Sequence, residues 1–136
     1  MEQTVNKITE LITILNEYKI DTFNADTLSG IAIKLASLKA GLGEYVDQYY
    51  RAMKVAENRL SVAKSGAYGK LREEGQSQGD AKELRNSEIR AEMEALSEAE
   101  AMYEKLKTLS YNVHDIIDSI KSRIIHQQMD RRDSDV

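Results

Sequence analysis

The sequence has no cysteine, no proline and no tryptophan, and phenylalanine occurs once among its 136 residues. Without cysteine the chain has no disulfides, thiolate nucleophiles or cysteine-bound metals, so nothing indicates secretion or redox chemistry, and a cytoplasmic location is expected. The lack of proline, together with a glycine count of seven, leaves few of the residues that β-turns require. An all-α fold is therefore predicted.

Long apolar runs are missing as well. No stretch approaches the roughly 18 uninterrupted apolar residues of a membrane-spanning helix. The N-terminal "MEQTVNKITE" lacks the basic region and apolar run of a signal peptide. A soluble protein without a membrane partner is expected.

Reactive groups do not converge in any recognisable catalytic pattern. The histidines are His114 and His126, and neither has a glutamate at the spacing of the helical di-iron motif or of H-E-x-x-H. The "GAYGK" segment from Gly66 to Lys70 is shorter than a phosphate-binding loop, and Leu71 stands where the magnesium-binding Ser or Thr belongs. The chain is therefore not expected to be an enzyme, or to hold a cofactor or metal.

Apolar residues repeat at steps of three and four through most of the chain, which predicts helices within a single domain over 1–136. The predicted elements are a helix over about 3–18, a helix over about 27–72, a turn over about 73–79, a helix over about 80–128 and a charged tail over 129–136. The second helix, of roughly 46 residues, would be about 70 Å long, so it needs a partner helix along its length. These features predict a long antiparallel, coiled-coil-like helical hairpin preceded by a short helix.

Local signals predict where the long helices begin and where one of them weakens. Asn24 or Asp26 is the expected N-cap of the second helix, and Asp80 with Glu83 is the expected capping pair of the third. Fraying or disorder is expected over 65–79, because each glycine in a helix interior costs roughly 1 kcal/mol relative to alanine.

An isoleucine-rich stretch near the C-terminus makes the apolar face of the last helix wider than one antiparallel partner covers. That excess predicts a homo-oligomer, with contacts through Val113, Ile116, Ile117, Ile120 and Ile124. The same stretch is also compatible with plain hairpin core or with a groove for a partner protein.

Positive charge is concentrated in one segment, although the net charge of the chain is -4. Between 51 and 72 the basic residues are Arg51, Lys54, Arg59, Lys64, Lys70 and Arg72, and Glu57 is the acidic one. Helical spacing directs these cations away from the apolar seam, with Lys64 at its border. Such a stripe would bind a nucleic-acid backbone in a salt-dependent way, and Tyr68 would stack on an unpaired base. It is equally typical of a face that only solubilises a helix, and the stripe alone does not decide.

The order of features resembles the UvsY-type recombination mediators of tailed phages. A short helix precedes a long one that contains "AENRLSVAKSGAYGKLR", and "NSEIRAEM" and "DSIKSRIIHQQMDRR" follow. The resemblance extends from about Asn16 to Arg132, and its closest local match is the D-x-I-K-S-R pattern at Asp118 to Arg123.

The resemblance implies a small accessory protein that binds single-stranded DNA and assembles into a ring-like oligomer through its C-terminal helix. It further implies that the protein loads a RecA-like recombinase onto strands coated with single-stranded DNA-binding protein, in the host cytoplasm if a phage encodes it. The matching DNA contacts would be Arg59, Lys64, Lys70 and Arg72. One departure is that Gly66 stands where the family has an arginine, in "VAKSGA".

A rival interpretation assigns the same helices to another class of protein. A phage or bacterial assembly factor, acting as a scaffold or chaperone, would have the hairpin and the oligomer but would bind only protein. Affinity for DNA through the basic segment distinguishes the two interpretations.

Overall fold

A computed structural model describes residues 1–17, 23–75 and 77–134, without the side chains of 81, 82, 85, 88 and 134. This part of the chain forms α1 (Glu2–Glu17), α2 (Ala25–Glu73), α3 (Gln78–Glu88) and α4 (Arg90–Ser134). It contains no β-strand, so the all-α prediction is confirmed. The predicted end of the first helix at Tyr18, the turn residue Gln76 and the tail residues 135 and 136 lie outside the described residues.

The contacts within the chain gather into two compact units. Unit 1 comprises Met1–Tyr45 and Leu106–Val136, and unit 2 comprises Val46–Lys105. In unit 1 the Nε2 of Gln127 donates to the carbonyl of Phe23, while Lys39 contacts His114, so residue numbers fall along α4 as they rise along α2. In unit 2 the rings of Tyr50 and Tyr103 lie 5.5 Å apart. The packing of α2 against α4 agrees with the predicted hairpin.

Unit 1 contains most of the buried apolar side chains, and three helices supply them. The core residues of unit 1 are Ile8, Leu15, Leu28, Ile31, Leu35, Leu42, Leu106, Val113, Ile117 and Ile120. Ile8 and Leu15 come from α1, and Leu11 of α1 shares a small cavity with Leu38 of α2. The short first helix therefore packs within its own chain.

The core of unit 1 includes three of the five residues predicted to join copies of the chain. Val113 and Ile120 are 0% exposed and Ile117 is 7% exposed, while Ile116 and Ile124 are half-buried. The isoleucine stretch looked too wide for one partner helix, but unit 1 offers it α1 as well as α2. Burial within the chain therefore explains why Val113, Ile117 and Ile120 are apolar, without a second copy of the chain.

Different local interactions set the start and the end of α2. At its start the side-chain Oδ1 of Asn24 accepts a 2.8 Å hydrogen bond from the N–H of Thr27, so Asn24 rather than Asp26 is the cap. At its end Gly75 has φ 87° and its N–H donates to the carbonyl of Arg72. The expected fraying from residue 65 is not found as far as Glu73, because Leu71, 4% exposed, anchors the last turns.

The helix expected over about 80–128 is divided and extended in the structure. Helix α3 begins at Gln78, with the Ser77 hydroxyl accepting from the N–H of Asp80, so Ser77 takes the capping role expected of Asp80. Helices α3 and α4 meet at Ile89, which is buried as its place in the apolar spacing indicates, but the spacing did not predict a break between helices there. Helix α4 continues to Ser134 through the predicted tail, and basic residues in its last turn complement the helix dipole.

Replacement of Ile120 by alanine tests whether the isoleucine stretch is intramolecular core. We expect the free energy of unfolding to fall by about 2–5 kcal/mol, as for other buried isoleucines. Ile125→Ala is the control, since Ile125 is 56% exposed and its loss should cost under about 0.5 kcal/mol. Urea denaturation measures both. A defect of Ile120→Ala that shrinks as protein concentration rises would instead place this residue between copies.

Gly66→Ala should stabilise the protein by about 1 kcal/mol, because alanine is the better helix former. An added Cβ at Gly66 meets no atom within 4 Å. Gly75→Ala should instead destabilise by about 1 kcal/mol or more, because the backbone there has positive φ. Thermal unfolding followed by circular dichroism compares the two variants. Equal effects of the two changes would contradict the role of Gly75 in the turn that ends α2.

Candidate nucleic-acid interface

The residues predicted to contact DNA all lie on α2 and within unit 2. The exposed ones are Arg51, Lys54, Arg59, Lys70 and Arg72. Lys64 and Tyr68 are half-buried, so the tyrosine presents only part of its ring to a base. The candidate interface therefore consists of five exposed cations, which we call the basic band.

Helical geometry spreads the basic band around the outward side of α2. Lys54 and Arg72 are separated by five full turns and share one flank, and Arg59 and Lys70, close to three turns apart, share another. Arg51 lies between the two flanks. The band covers roughly 160° of the helix surface and about 30 Å of its length, at 100° and 1.5 Å per residue. It is a broad surface rather than a single narrow stripe.

Lys54 is already engaged by neighbours in unit 2. Its Nζ lies 3.2 Å from Oε2 of Glu57 and 5.5 Å from the centroid of the Tyr50 ring. The hydrogen bond and the charge of Glu57 raise the pKa of Lys54 above its usual 10.5. A phosphate at this position must therefore compete with a carboxylate.

Lys64 points toward the other helices of unit 2 and not outward with the basic band. It lines an open cavity together with Asn86, Ser87, Arg90, Met93, Glu94, Ser97 and Glu98. Arg90 adds a cation that the basic segment did not include, because it lies on another helix. The two glutamates give the cavity mixed charge, so Lys64 is a weaker candidate for a phosphate contact than the five exposed cations.

Arg59 stands at the rim of an apolar groove between α2 and α4 in unit 2. The groove is lined by Ala52, Val55, Ala56, Arg59, Ala91, Glu92, Ala95 and Ala99. Beside it, Arg59 and Glu92 also line a second depression with Val62 and Ala63. From helical spacing, these alanines were assigned to the apolar seam or to the surface. The groove could have been predicted from the alanines on α4, which are spaced four residues apart.

His114, one of the two histidines considered as reactive groups, joins helices in unit 1. An ammonium group is a donor only, so Lys39 Nζ donates to His114 Nδ1 across 3.1 Å. In the neutral ring Nε2 then carries the proton and donates to Asp118 Oδ2 across 3.2 Å. Across the residues that the structure describes, no three His, Cys, Asp or Glu side chains are grouped to hold a metal ion. The arrangement is a surface link between α2 and α4.

Comparisons with protein-family models, with curated proteins and with solved structures found no match for this chain. Within the described ranges, no helix combines the length and the apolar character needed to cross a membrane. Proposals about function therefore rest on the basic band, on the groove and on the resemblance of the quoted segments.

Glu57→Ala should lower the pKa of Lys54 toward 10.5, because it removes the hydrogen bond and the carboxylate charge that raise it. NMR titration of the lysine side-chain signals measures the shift. Tyr50→Leu is the comparison, since Tyr50 raises the pKa of Lys54 less than Glu57 does. A larger drop in Tyr50→Leu than in Glu57→Ala would show that the ring, not the ion pair, holds the ammonium group.

Proposed function

We propose that this protein binds single-stranded DNA through the basic band and acts as a phage-type recombination mediator, loading a RecA-like recombinase onto strands coated with single-stranded DNA-binding protein. One observation carries the DNA-binding part of this proposal. The band presents five exposed cations on a helical segment whose one acidic residue, Glu57, is paired with Lys54. The loading role comes from the resemblance of the segments around the band.

Binding through the band is expected to be electrostatic and independent of base sequence. Each phosphate neutralised by Lys or Arg releases counterions, so affinity falls as salt rises. Among the predicted contact residues the one aromatic side chain is the half-buried Tyr68, which limits stacking on bases. The backbone of the strand is thus the group recognised.

Assembly of several copies would strengthen this binding. One copy offers few phosphate contacts, whereas an oligomer presents several bands to one strand and gains from high effective concentration. The ring-like homo-oligomer implied by the resemblance belongs to this proposal. Of the predicted oligomer contacts, Ile116 and Ile124 are the ones that are half-buried and not fully buried within the chain.

A second candidate is a helical assembly factor that binds only protein. It is favoured by the carboxylates close to several cations: Glu57 pairs with Lys54, Glu92 shares a groove with Arg59, and Glu94 shares a cavity with Lys64. In this interpretation those cations stabilise unit 2 through its own carboxylates and do not bind DNA. Arg51 and Lys70, which have no such neighbour among these contacts, discriminate between the candidates.

The double variant Arg51→Gln/Lys70→Gln should weaken binding to a fluorescent thymidine oligonucleotide. Loss of two phosphate contacts reduces the slope of log K against log salt by about 1.4, at about 0.7 per contact on single strands. Fluorescence anisotropy over a salt series measures this. The control Arg131→Gln/Lys121→Gln removes equal charge from exposed positions of unit 1.

Each result separates the candidates. Weaker binding by the band variant alone supports DNA recognition by α2. Equal weakening in both variants would mean that net charge, not the band, governs binding. No binding by the unmodified protein at low salt would eliminate the mediator proposal and favour the assembly factor.

A further inference from the structure

A small cavity in unit 1 lies between α1 and α2. Its volume is about 310 Å³, and its lining residues are Lys7, Glu10, Leu11, Lys34, Ser37 and Leu38. All six belong to unit 1, and none of them is part of the basic band. Ligand pockets in proteins have volumes of roughly 300–1,000 Å³, so this cavity is large enough for one apolar side chain and small for a cofactor.

The apolar part of the lining comes from both helices. Leu11 of α1 and Leu38 of α2 are half-buried, so part of each side chain is accessible from the cavity. Ile14 follows Lys7 by seven residues, or two helical turns, so it lies on the same side of α1. It is 40% exposed and extends the apolar surface beyond the cavity. Such a surface between two helices suits a large apolar side chain, as pockets for anchor residues do at protein interfaces.

Two lysines, one on each helix, determine which ligand fits the cavity. Lys7 of α1 and Lys34 of α2 are exposed, and the ion pairs found among the described residues involve neither of them. Glu10 is the one carboxylate in the lining, so the lining has two positive charges and one negative charge. A ligand with a single carboxylate would satisfy one lysine. A peptide with acidic residues on both sides of an apolar residue would satisfy both.

We propose that the cavity between α1 and α2 is a docking site for an acidic segment of a partner protein. One large apolar side chain of the segment packs on Leu11 and Leu38, and acidic residues on either side of it meet Lys7 and Lys34. The aliphatic stems of the two lysines add to the apolar surface around this anchor. The site uses no cation of the basic band, so it does not depend on the proposed DNA binding.

A short acidic peptide tests the docking site directly. The probe is the capped peptide acetyl-Asp-Asp-Leu-Asp-Asp-amide, titrated into isotopically labelled protein while two-dimensional NMR follows the backbone amide signals. We expect saturable shifts over residues 7–14 and 34–38. The same peptide with alanine in place of leucine should bind roughly tenfold more weakly, because the apolar anchor is lost. Equal binding of the two peptides would overturn the proposal, since charge alone would then explain the affinity.

Charge reversal at the two lysines tests how the acidic residues are recognised. Lys7→Glu/Lys34→Glu should weaken peptide binding roughly tenfold or more, because two attractive contacts become repulsive. Lys121→Glu/Arg131→Glu is the matched control, since it changes the net charge equally at exposed positions of unit 1 that do not line the cavity. Circular dichroism verifies that both variants keep their helicity. Equal weakening in the two variants would overturn the proposal.

Glu10→Gln provides a test with the opposite sign. Peptide binding should tighten roughly threefold, because the variant removes the one carboxylate that repels an acidic ligand. Unchanged or weaker binding would contradict the docking geometry. Decanoate is titrated as an alternative ligand, and shifts over the same residues with decanoate but not with the peptide would assign the cavity to a small amphiphile. The oligonucleotide titration tests the proposed function separately, so either proposal can fail without the other.

Discussion

Lateral burial of one face of α2 against α4 is the interaction on which the rest of this structure depends. Helices of 49 and 45 residues cannot rely on intrinsic propensity in water, since most helical stability in proteins comes from packing of an apolar face. Leucines and isoleucines supply that face in unit 1, where α1 adds a third helix. Asn24 and Gly75 set the ends of α2, but apolar burial keeps it helical between them.

The two units use different side chains for the same pairing of helices. Burial of apolar surface yields roughly 25 cal/mol per Å², so the leucines of unit 1 contribute more per turn than the alanines of unit 2. The alanines in turn leave a groove along α2 and α4 that larger side chains would fill. The unit with the smaller core is therefore the one with an open groove between its helices.

Electrostatic character in unit 2 depends on which neighbour each cation meets. Lys64 shares a cavity with Glu94 and Glu98, and Lys54 is held by Glu57, although both belong to the basic segment. Arg51 and Lys70 are directed outward from the same helix. A negatively charged chain can thus present a local cationic surface, because carboxylates of α4 and of α2 itself lie beside some cations of α2 and not others.

Periodicity and composition by themselves determined the helical class, the span of α2 and the position of the basic segment, because these depend on local backbone preference and on spacing along one helix. The cap at Asn24 was among those predicted, because its side chain bonds its own turn, but Ser77 caps α3 in the same way where Asp80 was expected. Tertiary structure decided the division at Ile89, the burial of Val113 and Ile120 by helices distant in sequence, and the separation of Lys64 from the other cations. Those outcomes depend on which helices meet, and apolar spacing marks the face of a helix that is buried without identifying the segment that buries it.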